Sequence, residues 1–232
     1  MNLRSSCFAL RMVCASPLIP SLAGCGDAAP PDATPGADGD YYPMLDGSVS
    51  VYRHSNNGGW DETVTLTDDG EGHFVELDTP SPDGEHTESI QEVDDEGRVW
   101  RTTKNDYVDG ELDISVVYDP GFIRFDPAWL GLKPNESVRI AYERTETPAG
   151  GVPDATRDRA HIYTSYGYET LTVLGKTYHD CLVIRRERDY EDTMGNAEDQ
   201  QKQFYFAPDV GKVREVNLDS GSTEELSSYD KG

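Results

Sequence analysis

Leu112-Asp-Ile-Ser-Val-Val-Tyr118 puts Leu112, Ile114, Val116 and Tyr118 at every second position, with Asp113 and Ser115 between them. A period of two marks a β-strand with one buried and one wetter face, because successive side chains of an extended chain point to opposite sides. The same alternation recurs on either side of it. Val49 and Val51 alternate with Ser48 and Ser50, and Val138, Ile140 and Tyr142 with Arg139 and Glu143. Turn dipeptides punctuate these runs: Asn57-Gly58, Asp69-Gly70, Asp83-Gly84, Glu96-Gly97 and Asp109-Gly110, with glycines 12 to 14 residues apart. Asn-Gly and Asp-Gly supply the positive φ that tight hairpins require. Such spacing predicts a meander of hairpins rather than βαβ units. The strands share no further likeness of the kind a solenoid repeat would show.

No stretch sustains a helical period with caps, and Pro127-Ala-Trp-Leu-Gly131 makes one turn at most. With Pro134 just after it, this segment (126–135) is the place for a seam between two halves. Thr147 to Ala160, rich in Gly and Pro, predicts a long loop. The fold expected is all-β, with about a dozen antiparallel strands in a meander forming a strongly curved sheet or half-barrel. A closed barrel or a two-layer sandwich is the alternative, because an open sheet of that size tends to curl or split.

Upstream of the β region the chain reads as an address. Met1 to Arg11 carries Arg4 and Arg11 and no acid, Met12 to Ala23 is mostly apolar but short, and Leu22-Ala-Gly-Cys25 follows. The apolar run falls below the 18 or so residues a spanning helix needs, and the three parts together have the pattern of an export signal. Leu22 to Cys25 resembles the lipobox of bacterial lipoproteins, in which the signal is cut before the cysteine and its thiol takes a lipid. The resemblance implies a signal peptide over 1–24 and lipidation at Cys25; composition then gives a tether to residue 40, and the alternation a β domain over 41–232. Two or three acyl chains, each stabilised by about 0.8 kcal/mol per buried methylene, would make the membrane attachment effectively permanent. Gly26 rather than aspartate follows the cysteine, which in enteric bacteria implies the outer membrane rather than the inner. The tether Gly26 to Asp40 has no apolar periodicity. It reaches about 20 Å if flexible and roughly 45 Å if extended.

Composition excludes one class of partner. The formal charge is −24, and loss of Arg4 and Arg11 with the signal takes it to −26. Such a surface repels nucleic acid, so no nucleic-acid partner is expected. Cys7 and Cys14 also leave with the signal and Cys25 carries lipid, so Cys181 has no intrachain disulfide partner and the domain relies on its core.

Gly175-Lys-Thr-Tyr-His-Asp-Cys-Leu-Val-Ile184 and Phe204-Tyr-Phe-Ala-Pro-Asp-Val-Gly-Lys-Val213 resemble a pattern in poorly characterised bacterial secreted and lipoprotein β domains. Tyr42-Pro-Met-Leu-Asp-Gly47 followed by Tyr52 is similar to the opening segment of the same group, leaving the middle of the chain unmatched. The resemblance bears on fold and implies no chemistry. Ala207 to Gly211 reads as a turn, and Cys181-Leu-Val-Ile184 as a central strand covered on both faces with Cys181 as a small core residue. A reactive thiol would need a cationic neighbour, and His179 stands two residues away.

Gly-x-Ser-x-Gly, His-Glu-x-x-His and the phosphate-binding Gly-x-x-x-x-Gly-Lys are all absent from the sequence. His54, His73, His86, His161 and His179 are scattered singly, and Asp94-Asp-Glu-Gly97 and Asp109-Gly-Glu111 do not complete a calcium loop. No catalytic, metal-ligating or cofactor-binding residue is therefore assigned, and Cys25 is the single site residue. Arg185, Arg186 and Arg188 form a basic cluster expected to pair with acids across strands. The function expected is a non-catalytic binding or interaction module of the bacterial envelope, anchored through lipid. Its apolar inner face, with Tyr163, Phe204 and Phe206, would hold an apolar ligand or a protein partner. The alternatives are a hydrolase-type enzyme with a site assembled from scattered acids and histidines, or a purely structural envelope protein.

Overall fold

Alternating strands separated by turn residues pair most readily with their sequence neighbours, and in a computed structural model of the protein they do so all the way round. The structure describes residues 39–56, 58–189 and 201–232. Cys25, the expected signal peptide and most of the expected tether lie outside them. The first half of the meander comprises β1 (Val49–His54), β2 (Trp60–Asp68), β3 (His73–Asp78), β4 (Glu85–Val93), β5 (Val99–Val108) and β6 (Glu111–Phe125). After a 3-10 turn at Pro127–Gly131 come β7 (Ser137–Pro148), β8 (Arg157–Val173), β9 (Lys176–Arg188), β10 (Gln201–Ala207), β11 (Gly211–Asn217) and β12 (Thr223–Asp230). Each pairs antiparallel with the next, and β1 closes on β12 through Val49↔Asp230 to His54↔Glu224, so the sheet is a closed barrel. The half-barrel expectation gives way to its alternative. Closure removes both sheet edges, which an open sheet would leave unpaired.

Local chemistry accounts for the turns. Asp109 and Gly110 both take positive φ, 52° and 82°, the combination a type I′ hairpin needs and one that Asp-Gly supplies. In the acidic turn after β4, Asp94 accepts the backbone N–H of Glu96 and Arg98 and the indole N–H of Trp100. Its carboxylate is committed to shaping the turn. The loop expected over Thr147 to Ala160 is shorter, since β7 runs to Pro148 and β8 begins at Arg157. Thr147 and Pro148 are still paired to β6, and Asp154 donates its N–H back to Glu146.

One end of the barrel is packed with rings. Asp126 caps the 3-10 turn by accepting the N–H of Ala128, and the turn folds Trp129 inward until 1% of it is exposed. Trp129 stacks on Tyr163 at 4.8 Å between centroids and meets Phe125 edge-on at 5.6 Å; Phe125 in turn meets Phe206 at 5.3 Å. Tyr41, Val99, Ile123, Leu182 and Ile184 complete this core. The chain enters at the same end. Asp40 and Asp209 exchange hydrogen bonds, and the Tyr41 hydroxyl donates to the Asp180 carbonyl. The segment from 126 to 135 lies in this packed end, with β6 and β7 on either side of it paired directly.

Cys181 to Ile184 are all buried, with Leu182 and Ile184 in the core just described and Cys181 and Val183 in a second one. The doubly covered strand is as expected. His179 does not share a face with Cys181. Asp180 takes φ 53°, which breaks the alternation, leaving His179 exposed beside Thr170 while Cys181 is 0% exposed. Burial pushes the Cys181 thiol up to about 11, the opposite of what activates a thiol.

Candidate functional site

Away from the aromatic end the lumen is charged. The β1 strand turns Ser50, Tyr52 and His54 inward, with Ser48 just before it, and β2 contributes Glu62, Val64 and Leu66. Inward positions of β3 carry Glu76 and Asp78, and those of β5 and β6 carry Arg101 and Arg124. Lys202, Lys212, Glu215 and Glu224 follow from β10, β11 and β12. Together they surround a cavity of about 250 Å³. Val49 and Val51, expected inside, take the opposite face. In β1 the period was right and the buried face was the polar one.

The lumen groups are paired but not sealed. Glu76 holds Arg101 at 2.8 Å and Arg124 at 3.5 Å, Lys202 reaches Glu215 at 2.8 Å, and Lys212 bridges Glu215 and Glu224. The His54 Nε2 lies 3.1 Å from a Glu62 oxygen. These side chains are 12% to 21% exposed.

Burial opposes the charge on Glu76, yet Arg124 and Arg101 hold its carboxyl down at about 2. Burial also opposes the charge of Lys212, and Glu224 and Glu215 keep it well above the ordinary ammonium range. Asp78 is the exception. Burial, then Glu76 and Glu62, push its carboxyl up to about 8. Burial raises Glu224 as well, with Lys212 pulling the other way. For His54 burial works downward, but the hydrogen bond to Glu62 and the Glu224 charge leave it raised.

The aromatics expected on an apolar inner face pack together rather than line this cavity. Tyr163 and Phe206 belong to the packed core, and Phe204 lies against it. Beside them is a void of about 30 Å³, far below the roughly 300 Å³ at which small-molecule sites begin. Arg186 lies between the rings of Phe122 and Phe204, at 5.2 and 5.3 Å from their centroids, and Arg185 pairs with Glu187 on its own strand. Arg185 also donates across strands to the Tyr166 hydroxyl and to Gln201.

Of the five histidines only His54 lines the cavity. His161 stacks on Tyr142 and is pushed down to about 3 by burial and by Arg186, Arg188 and Arg159. His86 stacks on Tyr107, and His73 bonds Asp69 in the β2–β3 turn. No motif in the sequence marks the lumen acids and bases. A signal was there: Glu62 shares its parity with Val64 and Leu66, Glu224 with Leu226, and Lys202 with Phe204 and Phe206.

The fold and site thus define a closed twelve-stranded antiparallel barrel with an aromatic end and a charged lumen. No protein-family model matches the chain, and no curated protein does. Among solved structures it is similar to the hypothetical lipoprotein YmcC of Escherichia coli, at 15% identity and TM-score 0.41, covering 82% of this chain and 89% of that one. It is also similar to an exported protein with a YmcC-like fold from Bacteroides fragilis, at 12% identity and TM-score 0.46, covering 83% of this chain and 100% of that one.

Proposed function

We propose that the protein is a lipid-anchored binding module of the bacterial envelope whose charged lumen takes a small polar solute. The observation that carries this is the cavity of about 250 Å³ lined by five carboxyl groups, two arginines, two lysines and a histidine. Ion pairs of this kind are a poor way to stabilise a barrel, because the cost of removing charges from water can exceed their attraction. Apolar side chains of similar volume would hold the strands as well. Small-molecule sites are mostly apolar and run to about 300–1,000 Å³, so a smaller and polar space suits a compact, hydrogen-bonding solute better than a lipid.

Native mass spectrometry of the protein extracted from its own envelope tests this. A bound small-molecule adduct is expected, and Ser50→Trp, which fills the cavity without altering its charges, should abolish it. No adduct, or one that survives Ser50→Trp, would favour a purely structural barrel. The anchor has its own test in Cys25→Ser, motivated by Leu22 to Cys25 and the coreless tether. The variant should lose palmitate labelling entirely and leave the membrane fraction or stay unprocessed; persistent labelling rules the anchor out. Outer-membrane residence follows from Gly26 and would show in density fractions of the envelope.

A catalytic reading draws on Asp78, a carboxyl that stays protonated near neutral pH and so suits a general acid. It would require a hydrolytic rate with an inflection near pH 8 that Asp78→Asn removes.

A further inference from the structure

We propose that His54, Glu62 and Glu224 bind one divalent transition-metal ion of the zinc type, facing the lumen cavity. The proposal rests on the lumen being a binding site, though not on which solute it takes. The three residues come from adjacent strands whose register brings them together: His54 of β1 lies opposite Glu224 of β12 and opposite Trp60 of β2, with Glu62 two residues further along. One imidazole nitrogen and one oxygen from each carboxylate all lie within 4.8 Å of one another. Zinc takes nitrogen and oxygen donors at about 2.0–2.2 Å, which puts tetrahedral ligands roughly 3.4 Å apart. His54 and Glu62 at 3.1 Å are already near that spacing, with a Glu224 oxygen within 4.8 Å of both ligand atoms.

Two features separate this cluster from a chance group of acids. Trp60 stacks face-on against the His54 ring at 4.2 Å and 9°, fixing the imidazole plane and leaving its edge, with Nε2, to ligate. All three ligands also line the cavity, so a fourth position stays open to water or solute, as in metal sites that engage a ligand. One imidazole with two carboxylates suits zinc and its neighbours; calcium, which prefers six to eight oxygens, is poorly served. Lys212, paired with Glu224 and 3.3 Å from Glu215, is the counter-ion in the metal-free protein. On metal binding it would move fully to Glu215.

The test is calorimetric titration of zinc chloride into full-length protein in detergent after stripping with chelator. One equivalent of zinc is expected. His54→Ala and Glu224→Gln should each weaken binding at least about tenfold, since loss of even an outer-shell partner costs 10- to 100-fold. Lys212→Gln, which removes a competing charge, should tighten it. His73→Ala, which breaks the exposed Asp69, Glu71 and His73 cluster, should change nothing. Absence of binding, or binding unaffected by the two lumen variants, overturns the proposal, as does binding that falls in His73→Ala. If a lumen variant loses the β-type circular dichroism spectrum, X-ray absorption of zinc-loaded His73→Ala decides, since that variant lacks the exposed histidine: a shell of one nitrogen and carboxylate oxygens supports the site, and an all-oxygen shell refutes it. Failure of zinc with a persisting, Ser50→Trp-sensitive adduct sinks the metal site alone. Zinc binding without any adduct sinks the solute reading alone.

Discussion

Asp78→Asn is expected to stabilise the metal-free protein at alkaline pH and to leave it nearly unchanged below pH 4. Asp78 sits on the inward face of β3 two residues from Glu76, and burial with the Glu76 and Glu62 charges pushes its carboxyl from an ordinary 3.8 to about 8. The folded protein therefore holds a proton that the unfolded chain releases near pH 4, and stability falls as pH rises from about 4 to 8. Above 8 the loss is complete. At 1.36 kcal/mol per pH unit the full cost is at most about 6 kcal/mol. Arg101 and Arg124 are already counted against it, but solvent reaching a half-buried group reduces the figure to roughly half, about 3 kcal/mol.

Asparagine has nearly the shape of the neutral carboxyl and cannot ionise, so the variant escapes this loss. His54 and Glu224 are also raised and tilt the wild-type profile the same way, but both proteins share them, and the difference isolates Asp78. Glu76, held at about 2, adds stability that disappears only as pH falls from about 4.5 through 2. Denaturant melts of both proteins across pH 4 to 9, with chelator present, provide the measurement. Parallel profiles would mean that Asp78 is ionised in the folded state.

Period and turns were legible because both are local. Val116 at 0% exposure beside Val117 at 50% shows the alternation as the sequence has it. Closure was not legible, because pairing Val49 with Asp230 depends on how far twelve strands coil, and no single strand encodes that. The face of β1 was misread for a different reason. Alternation tells which residues share a face, and assigning the apolar set inward assumes an apolar interior. In this lumen Ser48, Ser50 and His54 are inside with Glu62, Glu76 and Asp78.

The site was hidden by the same assumption, since 44 acids make any one of them look like surface. Its trace is charge on the same parity as buried apolar residues. Glu224 lies two positions from Leu226, which is 2% exposed, and Lys202 four from Phe206, also 2% exposed. A spacing of two would put His179 and Cys181 on one face of a regular strand, but the positive φ at Asp180 separates them. Cys25, the residue expected to carry lipid, rests on the sequence motif alone and lies outside the described residues.

Trp129→Ala should be the most damaging single change in the barrel. The 3-10 turn that carries Trp129 has little hold of its own, so its position depends on the ring it delivers. That ring is 1% exposed and touches both Tyr163 and Phe125, whose own contact with Phe206 ties β6 to β10. Truncation removes the transfer free energy and leaves a cavity that a closed barrel cannot collapse to fill, at a cost of about 3–5 kcal/mol. For a domain of this size that corresponds to a fall in Tm of roughly 6–20 °C. Trp129→Phe discriminates between ring packing and hydrogen bonding. The indole N–H is buried without a protein partner, an arrangement that itself costs about 1–3 kcal/mol, and phenylalanine removes that cost while keeping most of the stack. Trp129→Phe should therefore lose well under half of what Trp129→Ala loses. Equal losses would show that the indole nitrogen makes a bond the fold needs, and a small loss in Trp129→Ala would show that the aromatic end does not hold the barrel closed.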